Sequence, residues 1–238
     1  MKLKQKYLLL SFLLLIFSFI NVIDVNAMNT GFLTEELSEE IKTTFVSNIN
    51  ISPLKEEPVK REVLCFDVNE QGMIAVGQKG SQKKEVCVYT PQGEYLYGYA
   101  FNCTQSFGVE WDEQYINIFF VRSDVIISLD LDGNVLDVKG LSNTVDNNTY
   151  RNSLLHSTKR IVGDTTYLIR NDMGIFNWIA SSYSQIITVD AMGTECIIYD
   201  VNSMQLTNMI VIIGIVCVFV FIAISVIAWR FIKLRRGN

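Results

Sequence analysis

The segment VCVYTPQGEYLY, residues 86–97, decides the fold of this chain. It places Gly93 in a tight turn between two runs of β-branched and aromatic residues, the pattern of an antiparallel hairpin. The same pattern recurs around Asp132-Gly133 and around Met192-Gly193. Preceding strands extend each hairpin to a four-stranded antiparallel meander of about 40 to 45 residues. The sequence therefore predicts a mainly β domain over residues 61–204, with about three such meanders.

These meanders resemble the blades of β-propellers of the NHL and six-bladed types, in which a strand, a glycine turn and another strand alternate. The resemblance covers roughly residues 61–201 and implies a propeller-like arrangement. Three units are too few to close a ring, because propellers have about four to eight blades. The N-terminal helix, the insertion over residues 173–184, a second copy of the chain or another protein could then cover the open edges. A single-domain β-sandwich or stacked meanders are the alternative.

The third meander differs from the other two. Its first strand is expected within residues 154–162, and an insertion over residues 173–184 interrupts it. Phe176, Trp178 and Tyr183 make this insertion the most apolar segment outside the predicted strands. If exposed, these three side chains are the best candidates for a binding surface. Folding inward to cap the third meander is the alternative.

The N-terminus has the pattern of an export signal. Lys2, Lys4 and Lys6 precede an apolar run over residues 7–20, and Val25-Asn26-Ala27 offers small residues at the cleavage positions. Residues 1–27 are therefore predicted to be a signal peptide. An uncleaved membrane anchor is the alternative, and in both cases the following segment is translocated.

Residues 28–60 are predicted to form a short helix and a linker. Apolar residues recur every four positions from Leu33 to Phe45, with Thr34 as a possible N-cap, which predicts an amphipathic helix over residues 35–46. Pro53 and Pro58 then end helical structure.

Residues 209–229 are uncharged and almost wholly apolar, and their length of about 30 Å matches the hydrocarbon core of a membrane. Residues 230–238 follow as a basic tail, and basic clusters are retained on the cytoplasmic side. The sequence thus predicts a single-pass protein of the cell membrane, with its main domain outside and its C-terminus in the cytoplasm.

The predicted exterior segment, residues 28–208, is acidic. It carries 13 Lys and Arg against 24 Asp and Glu, a formal charge of −11, which argues against nucleic acid as a partner. Four of the five cysteines lie in this segment. Two disulfides are possible there, and buried free thiols are the alternative.

From the sequence we assign no catalytic, cofactor-binding or metal-binding residues. His156 is the only histidine, which removes most zinc and nucleophile patterns. The glycines of residues 77–84 do not have phosphate-loop spacing, and we interpret this segment as a basic hairpin loop. Residues 130–134 lack the ligand spacing of a calcium loop, and we interpret them as a hairpin turn.

Two functions remain open on the sequence. The first is a membrane-anchored extracytoplasmic binding or scaffold protein, with a protein partner or a second copy bound to it. The second is an exported carbohydrate-active hydrolase, because Glu110 and Asp112 are paired carboxylates beside Trp111. In a regular strand the two carboxylates share one face and Trp111 lies on the other.

Overall fold

The computed structural model describes residues 28–180 and 182–236, and this part of the chain is mainly β, with fourteen strands in three antiparallel sheets. The predicted signal peptide, residues 1–27, lies outside the described residues. The described sheets form neither a closed barrel nor a propeller ring. The prediction of a mainly β chain with a long apolar C-terminal helix is confirmed.

Each sheet contains one four-stranded meander, and two of the sheets gain an edge strand from the N-terminal region. The first sheet consists of β2 (Ser52–Pro53), β3 (Val63–Val68), β4 (Ile74–Lys79), β5 (Lys84–Tyr89) and β6 (Tyr95–Phe101). The second consists of β1 (Thr34–Glu36), β7 (Phe107–Asp112), β8 (Tyr115–Phe120), β9 (Val125–Leu129) and β10 (Val135–Leu141). The third consists of β11 (Lys159–Val162), β12 (Thr165–Arg170), β13 (Gln185–Val189) and β14 (Glu195–Asp200).

The predicted glycine turns all form, and they share one geometry. Gly93, Gly133 and Gly193 have φ of 85°, 83° and 81°, a backbone conformation that favours glycine. Three residues before each glycine, a Thr or Asp side chain accepts hydrogen bonds from two backbone N–H groups of the turn; Asp190, for example, accepts from Met192 at 2.9 Å and Thr194 at 2.8 Å. Local turn chemistry therefore fixes these hairpins.

The first sheet lies between the other two. One of its faces contributes Val86, Val88 and Phe101 to a core shared with the second sheet. The opposite face contributes Ile74 and Tyr89, among others, to a core shared with the third sheet. Successive residues of a strand point to opposite faces, and both faces here are covered, so the strands of this sheet are apolar on both sides.

The outer face of the second sheet is covered by helix α2 (Val145–Leu155) and by the N-terminal segment, through contacts that include Phe32, Phe119 and Tyr150. This corrects the expected strand over residues 154–162, of which only Lys159–Val162 is a strand. Thr144 caps α2 by accepting from the N–H of Asn147 at 3.1 Å. The helix has a polar sequence without clear apolar periodicity, so tertiary contacts rather than sequence pattern decide its position.

The N-terminal helix is shifted from its predicted position. Helix α1 spans Glu39–Ile49, and Ser38 rather than Thr34 caps it, through a hydrogen bond from the N–H of Ile41. Thr34 belongs to β1, which pairs with β10. Pairing with an available sheet edge replaces the first predicted helical turn, since both use the same backbone groups.

Helix α3 (Asn202–Arg236) follows β14 after one residue, Val201, which is buried in the core shared by the first and third sheets. It contains the predicted span of residues 209–229. Its most apolar window is not buried against the rest of the described chain, and it is the one described helix long and apolar enough to cross a membrane.

The β sheets have two distinct ends. We call the end from which α3 leaves the helix end; Val63 there pairs with Tyr183, next to the start of β13. We call the opposite end the turn end, because the hairpins β3–β4, β5–β6, β7–β8, β9–β10, β11–β12 and β13–β14 all turn there. The length of β3 separates the two ends by about 17 Å.

All five cysteines are free thiols in this structure. Cys65 and Cys87 are buried on opposite faces of the first sheet. The structure therefore has free thiols and not the disulfides, and the interpretation as buried thiols fits Cys65 and Cys87 but not Cys196, which is exposed.

Candidate functional site

A cleft of about 850 Å³ opens at the turn end, between the β3–β4 and β7–β8 turns. Its lining includes four carboxylates, those of Asp67, Glu70, Asp112 and Glu113, together with the indole of Trp111. No Lys or Arg contributes to the described lining. The cleft is therefore acidic and has one aromatic wall.

Asn69 gives this cleft a hydrogen-bond donor without a partner. Its side chain is 6% exposed, and its Oδ1 accepts from the N–H groups of Gln71 at 3.1 Å and Met73 at 2.9 Å. Its Nδ2 makes no hydrogen bond within the described chain. A buried amide normally finds a partner, so the unpaired Nδ2 of Asn69 is a candidate contact for an acceptor at the wall of the cleft.

The turn that carries Asn69 is a fourth copy of the repeated glycine turn, with Gly72 at φ 79°. Sequence analysis missed it, although the spacing of Asn69 and Gly72 matches that of Asp130 and Gly133. Asp or Thr supplies the turn acceptor in the other three copies. Asn69 is the one acceptor among the four turns whose side chain also has an N–H₂ group.

The wall of the cleft is held by a partly buried ion pair. Arg160 of β11 donates from Nε to Oδ1 of Asp67 at 2.7 Å, and the backbone N–H of Trp111 donates to Oδ2 of Asp67 at 2.8 Å. Asp67 therefore joins all three sheets at one point. The indole N–H of Trp111 is buried and has no acceptor within the described chain, which gives the cleft region a second free donor.

Glu110 and Asp112, the predicted carboxylate pair, lie on one face of β7, and both hold the N-terminal segment. Glu110 accepts from the hydroxyls of Thr30 and Tyr150 and from the N–H of Gly31. Asp112 accepts from the N–H of Asn29 at 2.7 Å. Burial raises the pKa of Glu110 above its ordinary value of 4.5, although the three hydrogen bonds act in the opposite direction.

In this arrangement both carboxylates have a structural role, because they bind the N-terminal segment. Glu110 does not line the cleft, whereas Asp112 does. A glycosidase needs both carboxyl groups beside the scissile bond. The geometry of Glu110 therefore does not favour the hydrolase interpretation.

Carboxylates occupy every hairpin turn at the turn end. No Lys or Arg occurs in any of the six turns that the structure describes there. The seven acidic residues of these turns, which we call the acidic face, are Glu70, Glu94, Glu113, Asp130, Asp132, Asp164 and Asp190. The six turns at the end opposite α3 thus carry seven of the 24 acidic residues of residues 28–208 and none of its Lys or Arg.

The three residues of the predicted binding surface lie near the helix end but in different environments. Phe176 and Trp178 belong to a 3₁₀-helix, Gly174–Ile179, in which Phe176 is partly buried and Trp178 is 83% exposed. Tyr183 is partly buried against the core of the first and third sheets, and its backbone pairs with Val63. Among the three, Trp178 is the exposed side chain.

The other sequence motifs have structural positions. His156 caps the C-terminal end of α2, and residues 77–84 form the β4–β5 hairpin at the helix end. In residues 130–134, both Asp130 oxygens bind groups of the turn itself. Among the described residues, no group of three or more His, Cys, Asp or Glu side chains is arranged to hold a metal ion.

No protein-family model matches this chain, and no curated protein matches it.

Proposed function

We propose that this chain is a single-pass protein of the cell membrane that holds its β domain outside the cytoplasm and binds a basic protein partner through the acidic face. The observation that carries the proposal is that the apolar helix and the turn carboxylates lie at opposite ends of the β domain. The apolar helix α3 leaves from one end, and seven carboxylates without a cation occupy the other. The partner-binding end thus points away from the membrane.

The membrane part of the proposal is supported by α3, because its span is almost wholly apolar around the helix. An apolar helix surface that no protein covers requires lipid, because about 20 such residues in water would be strongly unfavourable. The basic residues after position 229 and the predicted signal peptide support an exterior β domain.

The orientation is tested with the chain's own thiols. Burial raises the pKa of Cys65 and of Cys87 to about 12, and burial also raises that of Cys103. Cys217 belongs to α3, so Cys196, which is exposed, is the thiol expected to react. A membrane-impermeant maleimide should label intact cells that carry the wild type but not Cys196→Ser. Labelling that requires permeabilised cells would place the domain in the cytoplasm instead.

The partner part of the proposal is supported by charge and by the cleft. A surface of one charge sign raises the association rate of a partner with the opposite sign. Within this surface, Trp111 offers an aromatic wall for a cationic side chain. The free donor of Asn69 offers a hydrogen bond to a backbone carbonyl of the same partner.

Binding is tested with an oligolysine peptide as the probe, against the full chain in lipid nanodiscs. Glu70→Gln with Glu113→Gln should weaken binding several-fold at low salt, because both carboxylates line the cleft. Glu40→Gln with Glu56→Gln removes the same charge from exposed positions elsewhere and should have little effect. Equal weakening by the two pairs would mean that net charge alone attracts the peptide and that the acidic face is not a site.

The substitution Asn69→Asp tests the contribution of the unpaired Nδ2 donor to peptide binding. Asp should preserve the turn, since Asp130 and Asp190 occupy the same position in equivalent turns. It replaces the donor with an acceptor, so a peptide that uses the Asn69 amide should lose affinity even though the cleft gains negative charge. Stronger peptide binding would show that the amide makes no contact with it.

A further inference from the structure

The 3₁₀-helix Gly174–Ile179 presents two large apolar side chains to the surroundings. Ile175 is 77% exposed and Trp178 is 83% exposed. A 3₁₀-helix has about three residues per turn, so side chains three positions apart lie on one face. Ile175 and Trp178 therefore form a single outward-facing apolar edge, which no described residue covers.

Hydrogen bonds fasten the segment that carries this edge to the start of α3. The Nδ2 of Asn202 donates to the carbonyl of Asp172, and Ser184 Oγ donates to Asn202 Oδ1 at 3.0 Å. One turn further along α3, Gln205 Nε2 donates to Ser182 Oγ at 3.2 Å. The 3₁₀-helix is thus held beside the first two turns of α3 from both of its flanks.

The rise per residue of α3 gives the distance of these contacts from the apolar span. Gln205 precedes the first residue of the apolar span, Met209, by four positions, which is about 6 Å along a helix. The headgroup layer on each side of a bilayer is about 5–8 Å thick. The segment fastened at Gln205 therefore lies at the level of the headgroups when α3 spans the membrane.

Trp is enriched at this level because its ring is apolar and its N–H is polar. We propose that Ile175 and Trp178 enter the headgroup layer, so that the 3₁₀-helix is a second membrane contact of the β domain. The proposal rests on the proposed membrane span of α3. Two fixed contacts define the tilt of the domain and keep the acidic face directed away from the lipid, since Val201 joins β14 to α3 without a flexible linker.

The test is fluorescence quenching of the full chain in nanodiscs of phosphatidylcholine brominated near the top of its acyl chains. The difference between wild type and Trp178→Phe reports Trp178 alone, and the difference between wild type and Trp229→Phe reports the far end of the span. Both positions are exposed, so neither change should disturb the fold. We expect Trp178 to lose most of its emission in brominated lipid.

A control places Trp at an equally exposed position of the turn end. Met192→Trp in the Trp178→Phe background, at a position 88% exposed, should show no quenching of the introduced ring. Quenching of Trp229 without quenching of Trp178 would overturn this inference and leave the span intact; the apolar edge would then be available to a protein. Absence of quenching at both positions would overturn the span and with it the second contact.

Discussion

Replacement of Glu110 by Ala should destabilise the domain by removing the group that holds the N-terminal segment against the second sheet. Glu110 is 7% exposed and accepts three hydrogen bonds, from Thr30, Gly31 and Tyr150. Hydrogen bonds to a charged acceptor contribute about 1.5–3 kcal/mol each, and the burial that raises the pKa of Glu110 offsets part of the total. We expect a loss of about 3–5 kcal/mol.

The measurement is thermal unfolding of the full chain in nanodiscs, followed by near-ultraviolet circular dichroism. A loss of this size should lower Tm by about 10 °C, at about 2–4 °C per kcal/mol for a domain of this length. Glu110→Gln should cost less than Glu110→Ala, because the hydroxyls of Thr30 and Tyr150 can rotate and accept from the amide. Glu70→Ala, an exposed carboxylate at the turn end, should change the free energy of unfolding by about 0.5 kcal/mol or less.

A double-mutant cycle separates the hydrogen bond from general disruption. Tyr150→Phe should destabilise the wild type but have little effect in the Glu110→Ala background, since the acceptor of its hydroxyl is already gone. If Glu110→Ala unfolds at the same temperature as the wild type, the carboxylate does not hold the N-terminal segment and would be free for another role.

Three further outcomes are expected. Because burial raises the pKa of Glu110 on folding, the stability due to this shift should be fully present below about pH 4.5 and be lost as pH rises through the raised pKa, whereas the hydrogen bonds of Glu110 persist; urea unfolding of the wild type and Glu110→Gln across this range checks the sign. Gly93→Ala should be more destabilising than Gly193→Ala, because both have positive φ but only the former places a Cβ 2.5 Å from a carbonyl of β14; equal midpoints would contradict this packing. Arg160→Ala should cost about 1–3 kcal/mol in chemical unfolding, because the partly buried Asp67 loses a charged hydrogen-bond donor; no measurable loss would mean that solvent already screens the pair.

The meanders and the long apolar C-terminal helix were predictable because their determinants are local. The acceptor and both donors of each glycine turn lie within five consecutive residues, as at Asp190 and Thr194. Helix α3 is defined by length and apolarity alone. The polar sequence of α2 has a weaker signal. The four-residue apolar spacing predicts Thr34 as a helix N-cap, because it cannot anticipate that a sheet edge is available to pair with Thr34.

The candidate site was predictable only in part. The sequence drew attention to Glu110, Asp112 and Trp111, but it could not show that Glu110 is occupied by a segment 79 residues earlier in the chain. Asn69 has a detectable signal in the sequence, because its three-residue spacing to Gly72 is the same as that of the acceptor and glycine in the other three turns.

Three antiparallel meanders, an acidic segment over residues 28–208 and one apolar helix of membrane length follow from the sequence alone. Each follows from hydrogen bonds or hydropathy within a short stretch of chain. The tertiary structure is needed to place the first sheet between the second and third, to bring the turn carboxylates to one end, and to join both flanks of the 3₁₀-helix to the start of α3. These depend on contacts between distant residues, such as Tyr199 with Arg61, 138 positions apart, and no local pattern encodes which distant surfaces meet.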